Sequence, residues 1–148
     1  FGPIAARYYA PDEQTVPQGW VHNLEHGALV VLYKCGGDVC SDSTQGQLRQ
    51  FVESFPPSPI CGVKAGVVAP VVTRFDQSPH AFAAIVWDRV MYMDSWDPQQ
   101  VLDFYAKYGE VNNPEPQCSR ATPSAAASAS PAASDAASPS AAASASPS

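Results

Sequence analysis

The chain is organised around residues 21–33, which read VHNLEHGALVVLY. The run from Ala28 to Tyr33 is too continuously apolar for a half-exposed strand, so it predicts a central strand covered on both faces. Gly27 is a natural helix stop, because glycine readily takes the left-handed conformation that ends a helix. The residues before it, Trp20 to His26, form either one helical turn or an extended segment that leads into the strand.

The same stretch contains two of the three histidines of the chain and one glutamate. In a helical turn His22, Glu25 and His26 share a face, because they are spaced by three and four residues. In an extended segment His22 and His26 still share a face, whereas Glu25 points the other way. Two imidazoles and a carboxylate suit a transition metal, and the excess of imidazole favours copper or zinc over a hard ion. Alternatively, the three side chains only form hydrogen bonds at the entrance of the strand.

The elements that follow are predicted from caps, turns and periodicity. A helix with a capping box at Thr44 and Gln47 extends to Phe55, and a second helix is capped by Asp97 and ended by Gly109. Strands are expected over residues 67–75, 81–87 and 90–93.

The order of these elements predicts the fold class. A helix between the first two strands implies a crossover and parallel pairing, whereas the two short turns that follow imply antiparallel pairing. We therefore expect an α/β (α+β) domain, a small mixed sheet in strand-helix-strand-strand-strand-helix order, thioredoxin-like by analogy. Residues 1–118 form this domain, in which residues 1–19 lie as ordered coil on the core.

Four cysteines without zinc-ribbon spacing predict disulfides and an exported protein. Cys35 and Cys40 flank a short loop that a local bridge closes easily, which leaves Cys61 to pair with Cys118, although other connectivities stay open. The expected location is periplasmic, cell-surface or secreted. Because the chain begins at Phe1, we expect that a signal peptide or a membrane-tethering segment lies outside it.

Composition excludes several classes of protein. The net charge is -6 and no basic patch is present, which argues against a nucleic-acid partner. No apolar run is long enough for a transmembrane segment. Residues 119–148 are almost entirely alanine, serine and proline, so they predict a disordered tail that serves as a flexible or glycosylated spacer.

Residues 21–33, together with Trp87 and residues 97–108, resemble an uncharacterised bacterial family of exported proteins. This family is a domain of unknown function with a His-Asn-Leu-Glu-His-Gly motif, and the likeness covers most of residues 1–108. The resemblance implies a cell-envelope location and no particular activity. Family members usually carry a Ser-Gly-Pro-His segment upstream, but this chain opens with Phe1-Gly2-Pro3 and has no histidine there.

Three other patterns point to chemistry more weakly. The motif fits the inverted zinc-peptidase pattern, but that class needs a long helix, which Gly27 forbids. Cys35 and Cys40 lie between a strand and a helix, as in thioredoxin-like proteins, but four residues separate them instead of two. Met91 and Met93 share one face of a strand, where their thioethers either select Cu(I) beside the imidazoles or fill gaps in the core.

These patterns predict an extracytoplasmic protein that binds copper or zinc through His22, His26 and Glu25, and they do not indicate an enzyme. The first alternative is a non-catalytic accessory subunit of a cell-envelope complex, because aromatic residues often anchor interfaces. The aromatic residues near the N-terminus that would form its contact surface are Phe1, Tyr8, Tyr9 and Trp20. The second alternative is a thioredoxin-like redox protein.

Overall fold

A computed structural model describes residues 2–119 of the protein. Its elements, in chain order, are α1 (Pro17–Glu25), β1 (Val30–Tyr33), α2 (Asp42–Glu53), β2 (Val71–Arg74), β3 (Phe82–Val86), β4 (Arg89–Met93) and α3 (Pro98–Tyr108). The fold is mixed α+β, as the sequence predicts. The predicted tail lies outside the described residues from position 120 onward, so its boundary at residue 118 stays a prediction.

The four strands form one sheet in the order β2-β1-β3-β4. β1 runs parallel to β2, with Val30 opposite Val71, and antiparallel to β3, with Val30 opposite Ile85. β3 and β4 are antiparallel. All residues of β1 are buried, which confirms the prediction of a central strand covered on both faces.

The expectation that β2 and β3 pair with each other is wrong, because β3 lies on the other side of β1. Residues 75–81 instead pass over the end of β1. The crossing is fixed by Phe75 N, which donates to Tyr33 O at 2.8 Å. It is also fixed by Asp76 Oδ1, which accepts from Cys35 N at 3.0 Å. β1 has no charged residue and is poorly suited to a sheet edge, so it takes a strand on each side.

The side chains of the sheet alternate between two apolar clusters on opposite faces. On one face Val31 and Tyr33 pack with residues of α2 and α3, including Leu48 and Phe104. On the other face Val30 packs with residues of α1 and of the N-terminal coil, namely Tyr9, Trp20 and Leu24. α1 therefore covers the face of the sheet opposite to α2 and α3.

The two later helices begin where side chains cap them. α3 begins as predicted, since Asp97 Oδ1 accepts from Gln100 N at 3.1 Å and Pro98 is the first helical residue. α2 begins earlier than predicted, because Ser41 is its cap and accepts from Thr44 N at 3.3 Å. Several residues of this stretch are able to cap a helix, and the helix uses the first of them.

The histidine motif is helical, which confirms the first of its two interpretations. α1 starts at Pro17, a favoured residue for a first helical position, so the predicted coil ends three residues earlier than expected. Gly27 has a φ of 94° and stops the helix. The long helix of an inverted zinc peptidase is therefore absent from this motif.

Asn23, the second residue of the motif, attaches the N-terminal coil to α1. Its side chain is only 1% exposed. It accepts from Ile4 N at 2.8 Å, and it donates to Ile4 O at 2.9 Å and to Val68 O at 3.2 Å. Through these three hydrogen bonds, Asn23 connects α1 to the N-terminal coil and to the segment that precedes β2.

We predict that Asn23→Ala lowers the free energy of unfolding by about 2–4 kcal/mol, because a buried backbone group left without a partner costs about 1–3 kcal/mol. Urea denaturation followed by tryptophan fluorescence measures this change. Asn112→Ala is the matched control, since its exposed side chain bonds only to Asp88 in the described structure, and it should shift stability by less than about 0.5 kcal/mol. Equal effects of the two substitutions would contradict the anchoring role of Asn23.

Candidate metal centre

His22 and His26 lie one turn apart at the C-terminal end of α1. Their ring centroids are 5.1 Å apart and their planes differ by 12°, so the imidazoles are stacked. Both residues are half-buried. The spacing of four residues on a helix produces this arrangement, and the structure thus brings two of the three predicted ligands together.

A carboxylate from the end of the described chain joins the two histidines. Glu115 Oε1 lies 3.3 Å from His26 Nε2. One ligand atom from each of His22, His26 and Glu115 lies within 4.8 Å of the other two. Within residues 2–119 no second group of three such side chains is present. The Glu115 side chain is 56% exposed, so the group opens to solvent.

Glu25, the carboxylate that the sequence predicted, is not a member of this group. Adjacent residues of a helix are rotated by about 100°, so Glu25 and His26 do not share a face. Glu25 contributes through its backbone instead. Its carbonyl oxygen accepts from Glu115 N at 3.0 Å and from Asn113 Nδ2 at 3.2 Å. The predicted ligand thus holds in place the segment that carries Glu115.

Met91 and Met93 lie on β4, an edge strand of the sheet. They pack with the apolar cluster that α2 and α3 cover, and Met93 is 7% exposed. Met93 lies opposite Phe82, which lies opposite Tyr33, whereas α1 leads into β1 at its other end, Val30. This packing fits the core-filling role of the two methionines.

Residues 110–118 hold Glu115 against α1 without helix or strand structure. Gln117 Nε2 lies 3.3 Å from His26 Nδ1, so both ring nitrogens of His26 face this segment. Glu110 is buried, and its Oε1 accepts from Ile60 N at 2.7 Å and from Cys61 N at 3.0 Å. The segment ends at Cys118, which is bonded to Cys61.

A small cavity of about 10 Å³ lies behind His26 and is also lined by Tyr105 and Glu110. Its volume is about that of one water probe. Burial raises the pKa of the Tyr105 hydroxyl, and the nearby Glu110 carboxylate raises it further. The inner side of the site thus has room for about one water molecule, whereas the side with Glu115 is open to solvent.

The three candidate ligand atoms lie farther apart than the ligand atoms of a bound zinc ion. In a tetrahedral zinc site with bonds of about 2.0–2.1 Å, neighbouring ligand atoms lie roughly 3.3 Å apart. The ligand atoms of His22, His26 and Glu115 span up to 4.8 Å, so they must approach one another by about 1.5 Å to bind an ion. Three protein ligands leave a fourth position for water or another ligand.

Both predicted cysteine pairs lie at bonding distance. The Cα atoms of Cys35 and Cys40 are 5.2 Å apart, and those of Cys61 and Cys118 are 5.6 Å apart. Two disulfides in a small domain are typical of an oxidising compartment outside the cytoplasm. None of the helices within residues 2–119 has the length and apolar character that crossing a bilayer requires.

The molecule is thus a disulfide-bonded α+β domain with a surface cluster of two histidines and a carboxylate. Residues 3–122 match the family described as "Protein of unknown function (DUF3105)", and the chain belongs to that family. The match confirms the resemblance at the level of a domain of unknown function, and it extends past Glu115 and both disulfides. No curated protein and no solved structure matches the chain.

We predict that Gly27→Ala lowers the melting temperature more than Gly66→Ala does. The two glycines have φ values of 94° and 93°, so the backbone strain of an alanine is the same at both. A Cβ at Gly27 would lie 3.2 Å from Asn113 Nδ2 and from Glu110 Cγ, whereas nothing lies within 4 Å of one at Gly66. The expected extra loss is about 1–3 kcal/mol, the usual effect of overpacking. Equal melting temperatures would mean that residues 110–113 do not pack against Gly27.

Proposed function

We propose that this domain binds Zn(II) or Cu(II) through His22, His26 and Glu115 in a compartment outside the cytoplasm. The observation that carries this proposal is the convergence of three ligand atoms within 4.8 Å from two distant parts of the chain. Glu115 reaches the histidines because backbone hydrogen bonds and a disulfide direct its segment toward α1. Such support distinguishes this cluster from surface charges that meet by chance.

The ligand set selects the class of metal. Imidazole nitrogen with one carboxylate suits Zn(II) and Cu(II), whereas Cu(I) prefers thiolates and thioethers. The methionines pack with the core from the edge strand β4 and all four cysteines are paired, so neither provides a soft ligand to the group of His22, His26 and Glu115. The open fourth position gives solvent access to the bound ion, which suits uptake or exchange of metal at the protein surface.

Gln117 supports this proposal as a partner of His26. When Nε2 of His26 binds a metal, its Nδ1 carries the proton and needs an acceptor. The Gln117 amide lies 3.3 Å from Nδ1 and offers its oxygen after a half-turn about its last torsion. The same side chain thus satisfies His26 in both the free and the bound state.

We predict that His22→Ala, His26→Ala and Glu115→Gln each weaken zinc and copper binding by at least about 100-fold, because each removes one of only three protein ligands. Calorimetric titration of protein purified without an affinity tag and stripped with chelator measures the affinity. Glu25→Gln and His80→Ala are the matched controls, since neither side chain belongs to the cluster. The proposal fails if the wild type binds neither Zn(II) nor Cu(II).

Metal binding should also raise the stability of the folded protein. A metal at 100 times its dissociation constant adds about 2.7 kcal/mol if it binds only the folded state. Chelator should remove this gain from the wild type and leave the melting temperature of His26→Ala unchanged. Chelator-insensitive melting of the metal-loaded wild type would contradict the proposal.

We predict that Gln117→Leu weakens metal binding by about 10–100-fold, the usual effect of losing the partner of a ligating histidine. Gln117→Glu should preserve or strengthen binding, because a carboxylate is the stronger acceptor for Nδ1–H. Calorimetric titration with ZnCl₂ distinguishes the two variants. Equal affinities would show that Gln117 does not orient His26.

A second candidate function, an accessory subunit of an envelope complex, is favoured by an apolar groove beside β4. The groove has a volume of about 460 Å³ and is lined by Leu24, Ile85, Trp87 and Val90 among others. Val90 is 47% exposed on a strand that forms one edge of the sheet, and exposed apolar surface at a sheet edge is typical of contact sites.

Tyr8, Tyr9 and Trp20, the described aromatic residues near the N-terminus, do not line that groove. Tyr9 and Trp20 are buried, and Tyr8 packs against the core. Phe1 lies outside the described residues. Under this second candidate, Val90→Lys should abolish co-purification of a defined envelope partner, whereas Val67→Lys, at a more exposed valine away from the groove, should not.

A thioredoxin-like redox role has less support. α2 begins at Asp42, so neither Cys35 nor Cys40 lies in its first turn, where helical amides stabilise a thiolate. The disulfide closes the loop between β1 and α2, and this supports a structural bridge.

A further inference from the structure

We propose that the Cys61–Cys118 disulfide positions the metal ligands, so that metal affinity depends on whether this disulfide is oxidised. The inference rests on the proposed function and extends it to regulation by a thiol reductant. The inference concerns the Cys61–Cys118 disulfide and residues 110–118, the segment that this disulfide ends. Glu115 is the only proposed metal ligand in that segment.

Glu115 lies in a segment without helix or strand structure, three residues before this disulfide. After α3 ends at Tyr108, the chain reaches Glu115 through irregular backbone. The segment bonds to the carbonyl of Glu25 through Glu115 N and Asn113 Nδ2, and the side chains of Glu115 and Gln117 are exposed. Irregular backbone with few buried apolar contacts opens more easily than the core strands and helices. The covalent link three residues beyond Glu115 therefore limits how far the ligand can move.

The other end of the disulfide is itself fixed. Cys61 N donates to the buried carboxylate of Glu110 at 3.0 Å, and Ile60 N donates to the same oxygen at 2.7 Å. Cys118 is thus bonded to the loop that contains Ile60 and Cys61. That loop is hydrogen-bonded to Glu110, the first residue of the segment that Cys118 ends. The disulfide spans 57 residues of sequence, yet it closes a compact unit around Glu110 next to His26.

Reduction of the Cys61–Cys118 disulfide would release the C-terminal end of residues 110–118. A thiolate of a dithiol reductant attacks one sulfur and forms a mixed disulfide, and its second thiol displaces the protein thiol. Cys61 and Cys118 gain two electrons and two protons, and the reductant becomes a disulfide. The three ligands then meet in a smaller fraction of molecules, and the apparent affinity falls in proportion to that fraction. A tenfold drop in the fraction weakens binding tenfold.

The second disulfide of the chain serves as an internal control for this test. The Cys35–Cys40 disulfide follows β1 at the end opposite to Gly27, and it spans only five residues. No ligand of the proposed site belongs to the loop that it closes. Breaking this second disulfide should leave metal binding unchanged.

The test compares zinc affinity in the wild type, in C61S/C118S and in C35S/C40S by calorimetric titration. Serine pairs are used because free thiols would bind zinc themselves. We expect at least tenfold weaker binding in C61S/C118S, approaching that of Glu115→Gln, and less than a twofold change in C35S/C40S. Unchanged affinity in C61S/C118S overturns the inference alone, whereas a wild type that binds no zinc overturns the proposed function as well.

A reciprocal measurement on the wild type covers the case in which C61S/C118S does not fold. Coupling between two sites is reciprocal, so zinc must stabilise the Cys61–Cys118 disulfide by the same factor. Differential alkylation in glutathione buffers, with and without ZnCl₂, reports the reduction midpoint of each pair. The reduced thiols bind zinc too, so the same measurement is made on Glu115→Gln, which has the same four cysteines but lacks one ligand of the site. Relative to that variant, a tenfold coupling moves the zinc-dependent midpoint of Cys61–Cys118 in the wild type by about 30 mV toward more negative potentials, and Cys35–Cys40 shows no difference. The same zinc-dependent shift in both proteins overturns the inference.

Discussion

The structure depends on the burial of β1 from both sides. None of its residues is charged and all are at most 3% exposed, so the sheet supplies a neighbour at each edge and a layer on each face. β2 and β3 provide the edges, α2 and α3 cover one face, and α1 with the N-terminal coil covers the other. The position of the histidines follows from the burial of β1, because they lie on α1, the helix that covers one face of the sheet and leads directly into β1.

Local chemistry made much of this fold predictable from sequence. The continuous apolar run identified β1, the cap at Asp97 placed α3, and Gly27 set the end of α1. The placement of β3 was not predictable from a short turn alone. A seven-residue connection is able to form a hairpin or to cross one strand, and only the need to shield β1 decides between them.

The candidate site was predictable only where its residues are close in sequence. The spacing of His22 and His26 on a helix brings their rings together without help from the rest of the fold. Glu25 was the nearby carboxylate, but helical rotation turns it away from His26. Glu115 follows α3 in a stretch without periodicity, so no pattern indicated its position. The only signal was the cysteine at residue 118, which implied that this stretch returns to the domain.

The end of α1 has an electrostatic consequence for whatever approaches it. The aligned peptide dipoles of a helix leave roughly half a negative charge at its C-terminus. His26 is the residue that ends α1, so this partial charge lies beside both imidazoles and adds to the charge of Glu115. Both partial and full negative charge at this end favour the approach of a cation over that of an anion. The polarity of one short helix thus acts in the same direction as the Glu115 carboxylate before any ligand bond forms.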